Sequence, residues 1–272
     1  MPHLTTAGTT SPATGADRLG FGIPGYAHPL LAPVEWAELT RPGTPLHWAV
    51  LDVADGGPGS RPDPHCLEAA GKLRNAGIRV LGHLDLAHGT RTFGEVVSDA
   101  HRYLDWYRVG GFLLDRCPAG PEDLPEVRRM TATLETVLDG GHLVLGHGTH
   151  PHPGYAEVAD QLVTFCGPWT DYRWSQVAEW TAGHPPERFA HFVHGVPRTH
   201  LEEAMRIARW QGAGTIFFTD RVGTGAGAGR ADGGRADGGR PGVGRAGQNG
   251  AFSSLPGYWD EIVSQIGPGV SE

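Results

Sequence analysis

Short apolar runs recur along the chain and are separated by segments with a helical pattern of apolar positions. Eight of these runs have the length and the continuous apolar character of strands buried in a parallel sheet. They are residues 21–27, 47–54, 78–86, 110–116, 142–148, 162–167, 188–196 and 212–220. Eight strand-then-helix units predict an α/β fold, the (β/α)8 TIM barrel. An open doubly wound sheet is the alternative, but no G-x-G-x-x-G motif opens a helix after the first strand.

Two helices are predicted in the first half of the chain. Between Phe93 and Tyr107, apolar residues recur at i, i+3, i+4 and i+7, as on a helix that faces a core. A stripe of Leu67, Ala70 and Leu73 predicts a second helix that ends at Gly77.

Two more helices are predicted near the C-terminus. Thr199 and Glu202 have capping-box spacing, and the helix that they open would turn Leu201, Ala204, Met205 and Ala208 inward. The amphipathic segment LPGYWDEIVSQI, residues 255–266, predicts the last helix.

Two segments lack the apolar content of a packed core. Residues 1–19 are rich in Thr, Gly, Ala and Pro and are predicted to be disordered. Residues 222–250 contain the repeat GRADGGRADGGR and are predicted to form a flexible insertion before the last helix. The expected organisation is a single barrel domain over residues 20–267.

Charge and composition exclude several classes of partner. With 30 acidic and 22 basic residues, the chain has no basic surface for nucleic acid and no polybasic membrane patch. No apolar stretch approaches the ~18 residues of a membrane span, and the first residues do not resemble a secretory signal. We therefore expect a cytoplasmic protein. The sequence does not predict the oligomeric state of the protein.

Polar residues gather where the predicted strands end. In a barrel, the carboxyl ends of the strands and the loops after them carry the ligand site. The residues there are Tyr26, His28, Asp52, Asp55, His83, Asp85, His88, Asp115, Arg116, His147, His150, His152, Cys166, Trp169, His191, His194 and Asp220. Because the opposite strand ends carry far fewer such groups, we expect a ligand site on this face.

Three kinds of chemistry are compatible with this ring. Paired carboxylates suit glycoside hydrolysis, His with Asp suits a metal, and a cysteine near a histidine can act as a nucleophile. The histidines show no metal signature such as HExxH, so no metal and no cofactor are predicted. Cys166 follows an apolar run, which favours an inert packed thiol. Asp115 and Arg116 are neighbours on a strand and should point in opposite directions.

The order of several short motifs resembles the spherulin-4 (spherulation-specific family 4) proteins over roughly residues 20–265. The motifs are GYAHP (25–29), GGPG (56–59), VLGHLD (80–85), YLDWYRVGGFLLD (103–115), LVLGHGT (143–149), LVTF (162–165) and YW (258–259). The resemblance independently implies a (β/α)8 barrel similar to enzymes that cleave galactosamine-containing polysaccharides. It also implies that Asp115 stands at a catalytic position. Arg116 and Cys166 stand where active relatives carry glutamates.

These departures predict a glycoside hydrolase-like barrel with degenerate catalytic acids that binds a carbohydrate or another small polar ligand. Arginine does not release a proton near neutral pH, and a thiol is a poor general acid. Asp115 is the predicted catalytic residue. The predicted binding residues are Tyr26, His28, Asp55, His83, Asp85, Arg116, His147, Cys166, Trp169, His191 and Asp220, with Trp169, Trp174 and Tyr26 as stacking surfaces.

Two alternatives remain open. An active glycosidase could combine Asp115 with a relocated carboxylate from Asp55, Asp85, Asp171 or Asp220. A metal-dependent intracellular enzyme could use His83, Asp85, Asp115, His147 and His191.

Overall fold

Eight short parallel strands form the centre of the protein. The computed structural model describes residues 19–25, 27–54, 56–222 and 251–266. The strands are β1 Gly20–Ile23, β2 Leu46–Leu51, β3 Arg79–Asp85, β4 Gly111–Asp115, β5 His142–Gly146, β6 Gln161–Pro168, β7 Phe189–His194 and β8 Thr215–Phe218. Each strand pairs with its sequence neighbours, and β1 also pairs with β8, so the sheet closes into a barrel. The predicted TIM barrel is confirmed, and the open sheet is excluded.

Seven α-helices are present in the described part of the chain. They are α1 Pro33–Glu38, α2 Pro64–Asn75, α3 Phe93–Tyr107, α4 Leu124–Leu138, α5 Trp169–Tyr172, α6 Leu201–Trp210 and α7 Trp259–Ile266. The connection from β5 to β6 carries only the 3₁₀ turn Pro153–Glu157. The second half of the barrel is therefore covered less regularly than eight strand-then-helix units predict.

Local sequence signals explain where the longer helices begin and end. At α2, the Asp63 side chain caps the first turn, Pro64 follows at the first helical position, and Gly77 adopts a left-handed φ of 78° just after the end. At α3, Thr92 and Glu95 form a capping box that the sequence analysis did not identify.

The predicted inner faces of α3 and α6 are confirmed. Tyr103 and Tyr107 of α3 are fully buried, and the Tyr103 hydroxyl donates to the Leu51 carbonyl at 3.1 Å, which ties α3 to the end of β2. The α6 residues Leu201, Ala204, Met205 and Ala208 are buried as expected.

Two details of the helix predictions are wrong. Leu67 is 47% exposed, because α2 buries Cys66, Ala69, Ala70 and Leu73 and therefore faces the barrel at a slightly different angle. No Thr199–Glu202 capping box forms, because a 3₁₀ turn, Arg198–His200, precedes α6 and makes His200 its cap residue.

The predictions of a disordered segment over residues 1–19 and a flexible insertion over residues 222–250 fall almost entirely outside the described residues. This holds for residues 1–18 and 223–250, whereas Leu19 is buried and Val222 is exposed. No helix within the described ranges is both long and apolar enough to span a bilayer.

Candidate functional site

A row of buried and partly buried charged side chains crosses the carboxyl ends of three neighbouring strands. Asp52 directly follows β2, His83 lies in β3, and Asp115 ends β4. The His83 ring lies between the two carboxylates, with Nδ1 3.3 Å from Asp52 Oδ2 and Nε2 3.3 Å from Asp115 Oδ2. His83 is 3% exposed and Asp115 is 1% exposed. This row forms because the parallel register of β3 and β4 aligns Asp85 with Asp115 and brings His83 within reach.

The carboxylates determine the charge of His83. Burial alone lowers the pKa of the imidazole, but the Asp52 charge and interactions with both carboxylates outweigh burial and raise the pKa to about 10. Burial raises the pKa of Asp52, whereas His83 and the Gly56 N–H lower it, and the net shift is downward. At neutral pH the row therefore contains a protonated imidazolium stabilised by carboxylates.

The neighbouring residue Arg116 forms an ion pair with Asp85 at the end of β3. Its backbone adopts a left-handed φ of 48°, and its guanidinium forms a two-pronged ion pair with Asp85. Arg116 Nε donates to Asp85 Oδ1 at 2.7 Å, and a terminal guanidinium nitrogen donates to Oδ2. The pKa of Asp85 is lowered, since the Arg116 contact and the Ala87 N–H outweigh the opposing effect of burial.

The loop after β2 closes over Asp85. A Cβ atom on Gly56 would lie 2.7 Å from the Asp85 Cβ, and Gly56 has a left-handed φ of 87°. Both observations require glycine at this position. The GGPG segment thus allows the loop backbone to approach the ion pair closely.

A cavity of about 390 Å³ opens beside the ends of β5 and β6. Its lining is mixed, with polar groups from several loops. The lining residues are Gly148, Thr149, His150, Thr164, Phe165, Cys166, Gly167, Pro168, Asp171, Ser175 and Gln176. His150 Nε2 is buried without a hydrogen-bond partner among the described residues, so a ligand hydroxyl there would satisfy it.

Cys166 lines this cavity and is close enough to Asp115 for that charge to affect its thiol. Burial, followed by the negative charge of Asp115, raises the pKa of its thiol above the usual range. The side chain therefore stays a neutral thiol at physiological pH, and a thiol is a poorer nucleophile than a thiolate. All three cysteines, Cys66, Cys117 and Cys166, are free thiols.

Comparison with known proteins identifies the family. The sequence profile of spherulation-specific family 4 (Spherulin4) matches residues 21–228. The chain belongs to this family. Spherulin-4 of Physarum polycephalum is 24% identical over 154 residues, which are 56% of this chain and 46% of that relative. The chain thus matches less than half the length of that relative.

A solved structure supports the barrel of this family member. The Aspergillus clavatus protein Sph3, crystallised in complex with GalNAc, is 20% identical, with a TM-score of 0.70. The match covers 92% of this chain and 98% of Sph3. At this level of identity the likeness establishes a shared fold.

In this spherulin-4 family member, two of the predicted histidines lie away from the charged row. His191 is fully buried, with Nδ1 2.8 Å from the Tyr172 hydroxyl and Nε2 3.1 Å from Thr164 Oγ1. Burial lowers the pKa of His191 to about 3 and that of His147 to about 4, so both are neutral at pH 7. His147 packs edge-on against Tyr155.

The metal alternative required His83, Asp85, Asp115, His147 and His191 to converge. Within the described ranges, three possible ligand atoms meet only at His28, Asp63 and Cys66. The predicted metal-enzyme set is therefore not assembled.

The remaining predicted residues are dispersed. Trp169 is 5% exposed and packs against Tyr172 and His200, with the Arg173 guanidinium 5.5 Å from its ring, so no ring face is open to a ligand. Trp174 is 79% exposed. Asp220 accepts the Gly257 N–H at 3.0 Å. Tyr26 and Asp55 lie outside the described residues.

Phe252 occupies the barrel mouth and was missed by the sequence analysis. Its fully buried ring contacts Phe192, His194 and Phe217 at the ends of β7 and β8. The available signal was a lone aromatic residue directly after the Gly- and Arg-rich repeat. This ring packs against residues of β7 and β8, whereas the cavity opens beside β5 and β6.

Proposed function

We propose that this family member binds a carbohydrate in the cavity beside β5 and β6 and no longer hydrolyses it. The observation that carries the proposal is the state of Asp115, which is 1% exposed and held against the His83 imidazolium. A glycosidase needs one carboxyl group that protonates the leaving oxygen and another that attacks or activates water. A buried carboxylate paired with a cation is poorly placed for either role.

Arg116 and Cys166, which stand where the family resemblance implies glutamates, also support the loss of hydrolysis. Arg116 is engaged by Asp85, and its guanidinium stays protonated near neutral pH. Cys166 is a thiol with a raised pKa. A single general acid or base contributes ~10²–10⁴-fold to rate, so the loss of both groups would remove most of the activity.

The cavity has the size and chemistry of a small polar ligand site. Its volume of about 390 Å³ is within the ~300–1,000 Å³ typical of small-molecule pockets. His150 and Thr164 offer polar groups, and Asp171 is the one carboxylate in the lining. Trp174, next to the lining residue Ser175, is 79% exposed. The Arg173 guanidinium lies 5.7 Å from the centre of its ring, and a sugar could stack on the part of the ring that Arg173 does not cover.

An amino sugar suits this site. The carboxylate of Asp171 would attract the ammonium group of galactosamine, and Sph3, which shares the fold, was solved in complex with GalNAc. GalNAc has a neutral acetamide in place of the ammonium group. Asp171 should therefore favour galactosamine over GalNAc.

The test combines calorimetry with mass spectrometry of galactosamine and GalNAc oligosaccharides incubated with the protein. We expect binding without cleavage. Asp171→Asn should weaken galactosamine binding roughly fivefold, which is the effect expected from the loss of a partly exposed ion pair. The same substitution should leave GalNAc binding unchanged. Asp220→Asn, which changes a carboxylate outside the cavity lining, is the matched control.

Each other outcome would contradict a specific part of the proposal. Cleavage products would show that a relocated carboxylate restores hydrolysis, with Asp171 the first candidate because it borders the cavity. The absence of binding to either oligosaccharide would exclude a site for this class of sugar.

A further inference from the structure

We propose that His28, Asp63 and Cys66 bind a divalent transition-metal ion, best matched by Zn²⁺, which fastens the loop after β1 to the start of α2. The three residues come from two separate segments of the barrel's carboxyl-end face. This proposal does not depend on carbohydrate binding, because none of its ligands lines the sugar cavity.

The three ligand atoms are already close together. The His28 nitrogen, an Asp63 carboxylate oxygen and the Cys66 sulfur all lie within 4.8 Å of one another, and His28 Nε2 is 3.3 Å from Asp63 Oδ1. Zinc bonds of 2.0–2.3 Å in a tetrahedron place neighbouring ligand atoms roughly 3.5 Å apart. A cation could therefore be bound with shifts of about 1 Å.

The helix start holds two of the ligands in place. Asp63 Oδ1 accepts the backbone N–H groups of His65 and Cys66, both at 2.9 Å. This cap fixes the carboxylate and the cysteine on the rigid first turn of α2. His28 then approaches from the loop after β1, so the metal would bridge two elements.

The donor set selects the kind of metal. Thiolate, imidazole and carboxylate together suit Zn²⁺ and exclude Mg²⁺ and Ca²⁺, which take oxygen ligands. The His28 and Asp63 side chains are about 30% exposed, which gives an ion access, while Cys66 is fully buried. The fourth position is open to water or to His65, whose ring centre is 6.0 Å from that of His28.

Binding has a defined proton balance. In the metal-free protein, burial and the adjacent Asp63 charge raise the pKa of the Cys66 thiol to about 12, so the sulfur is protonated. The cation forms a metal–sulfur bond and displaces that proton to solvent. In the metal-free protein, His28 Nδ1 accepts the Leu30 N–H at 3.3 Å, so the ring proton is on Nε2. Coordination through Nε2 moves this proton to Nδ1. The hydrogen bond from Leu30 is then lost, and the bond from Nε2 to the metal takes its place.

The test is titration of the chelator-treated 272-residue protein with Co²⁺ and Zn²⁺. We expect one Co²⁺ per chain, a sulfur-to-cobalt charge-transfer band, its displacement by Zn²⁺, and a rise in Tm of about 5 °C at saturating Zn²⁺. Cys66→Ser should remove the band and weaken binding at least about 100-fold. Cys117→Ser, which removes a different buried thiol, should change neither.

Two further variants keep the test decisive if Cys66→Ser fails to fold. Asp63→Asn preserves the helix cap but removes the charged ligand, and His28→Gln removes the imidazole. Both should weaken Co²⁺ binding at least about tenfold. Any of three results would overturn the proposal. They are the absence of stoichiometric Co²⁺ binding, Co²⁺ binding without the sulfur-to-cobalt band, and equal Co²⁺ affinity in these variants and the wild type.

Discussion

The charged row Asp52–His83–Asp115 predicts a pH-dependent contribution to stability. We expect Asp115→Asn to destabilise the protein at pH 7 and to have little effect at pH 10. The amide matches the carboxylate in shape and can still accept a hydrogen bond from His83 Nε2, so the main change is the loss of one negative charge. The penalty should therefore depend on whether His83 is protonated.

The magnitude follows from the pKa of His83. Its rise from 6.5 to about 10 corresponds to about 5 kcal/mol of net interaction favouring the protonated ring in the folded state. Because the two carboxylates lie at the same 3.3 Å from the ring, we assign about half, or about 2 kcal/mol, to Asp115. A loss of this size lowers Tm by roughly 4–8 °C in a protein of this length.

The direction of the pH dependence is fixed by linkage. Since the folded pKa of His83 is above the unfolded value of 6.5, the stabilisation is complete below about pH 6.5 and disappears as the pH rises through about 10. The difference in unfolding free energy between wild type and Asp115→Asn should thus fall from about 2 kcal/mol at pH 7 to below about 1 kcal/mol at pH 10.

The assay is urea denaturation of wild type and variant at pH 6–10, followed by circular dichroism and tryptophan fluorescence. Asp85→Asn is the matched control, because its main partner Arg116 keeps its charge over this range. The His83 charge contributes less to Asp85 than the Arg116 guanidinium does, so the penalty of Asp85→Asn should change much less with pH than that of Asp115→Asn. Other buried groups with shifted pKa values, such as Tyr103, whose pKa burial raises, are common to all three proteins.

A penalty for Asp115→Asn that stays constant from pH 6 to pH 10 would refute this reasoning. It would mean that His83 is neutral in the folded protein and that Asp115 contributes only packing and a neutral hydrogen bond.

Three further predictions concern packing and reactivity. Gly82→Ala should lower the free energy of unfolding by about 1–3 kcal/mol in urea denaturation, because the new Cβ would lie 2.7 Å from the Tyr103 ring. Gly71→Ala, in open space on α2, should instead raise it by about 0.5–1 kcal/mol. In the same assay, Trp169→Ala should lower the free energy of unfolding by about 3–5 kcal/mol, because Trp169 is buried. Trp174→Ala should lower it by less than about 1 kcal/mol, because Trp174 is exposed. Cys117 should react with a thiol reagent at pH 8 only after unfolding, since burial raises its pKa; rapid labelling of the native protein would disprove this.

The sequence alone predicted most of the fold, because strand and helix periodicities are local. The eight apolar runs became the eight strands, and the buried face of α3 lies where the i, i+3, i+4, i+7 pattern places it. The errors also have a local cause. A three-residue stripe does not fix the rotation of α2, so Leu67 was placed on the wrong face.

The sequence also indicated which end of the barrel carries polar chemistry, because residues that follow successive parallel strands collect on one face. It predicted that Asp115 and Arg116 point apart, since neighbours on a strand alternate sides. It gave no partner for either residue. Their partners, His83 and Asp85, are 32 and 31 residues away along the chain.

Only the tertiary structure decided those partners. The register of β3 against β4 places Asp85 beside Asp115, and the end of β2 adds Asp52 to the far side of His83. The cluster of His28, Asp63 and Cys66 likewise exists only because the loop after β1 meets the first turn of α2. Periodicity is encoded by residues a few positions apart, whereas side chains tens of residues apart meet only once packing fixes register and barrel closure.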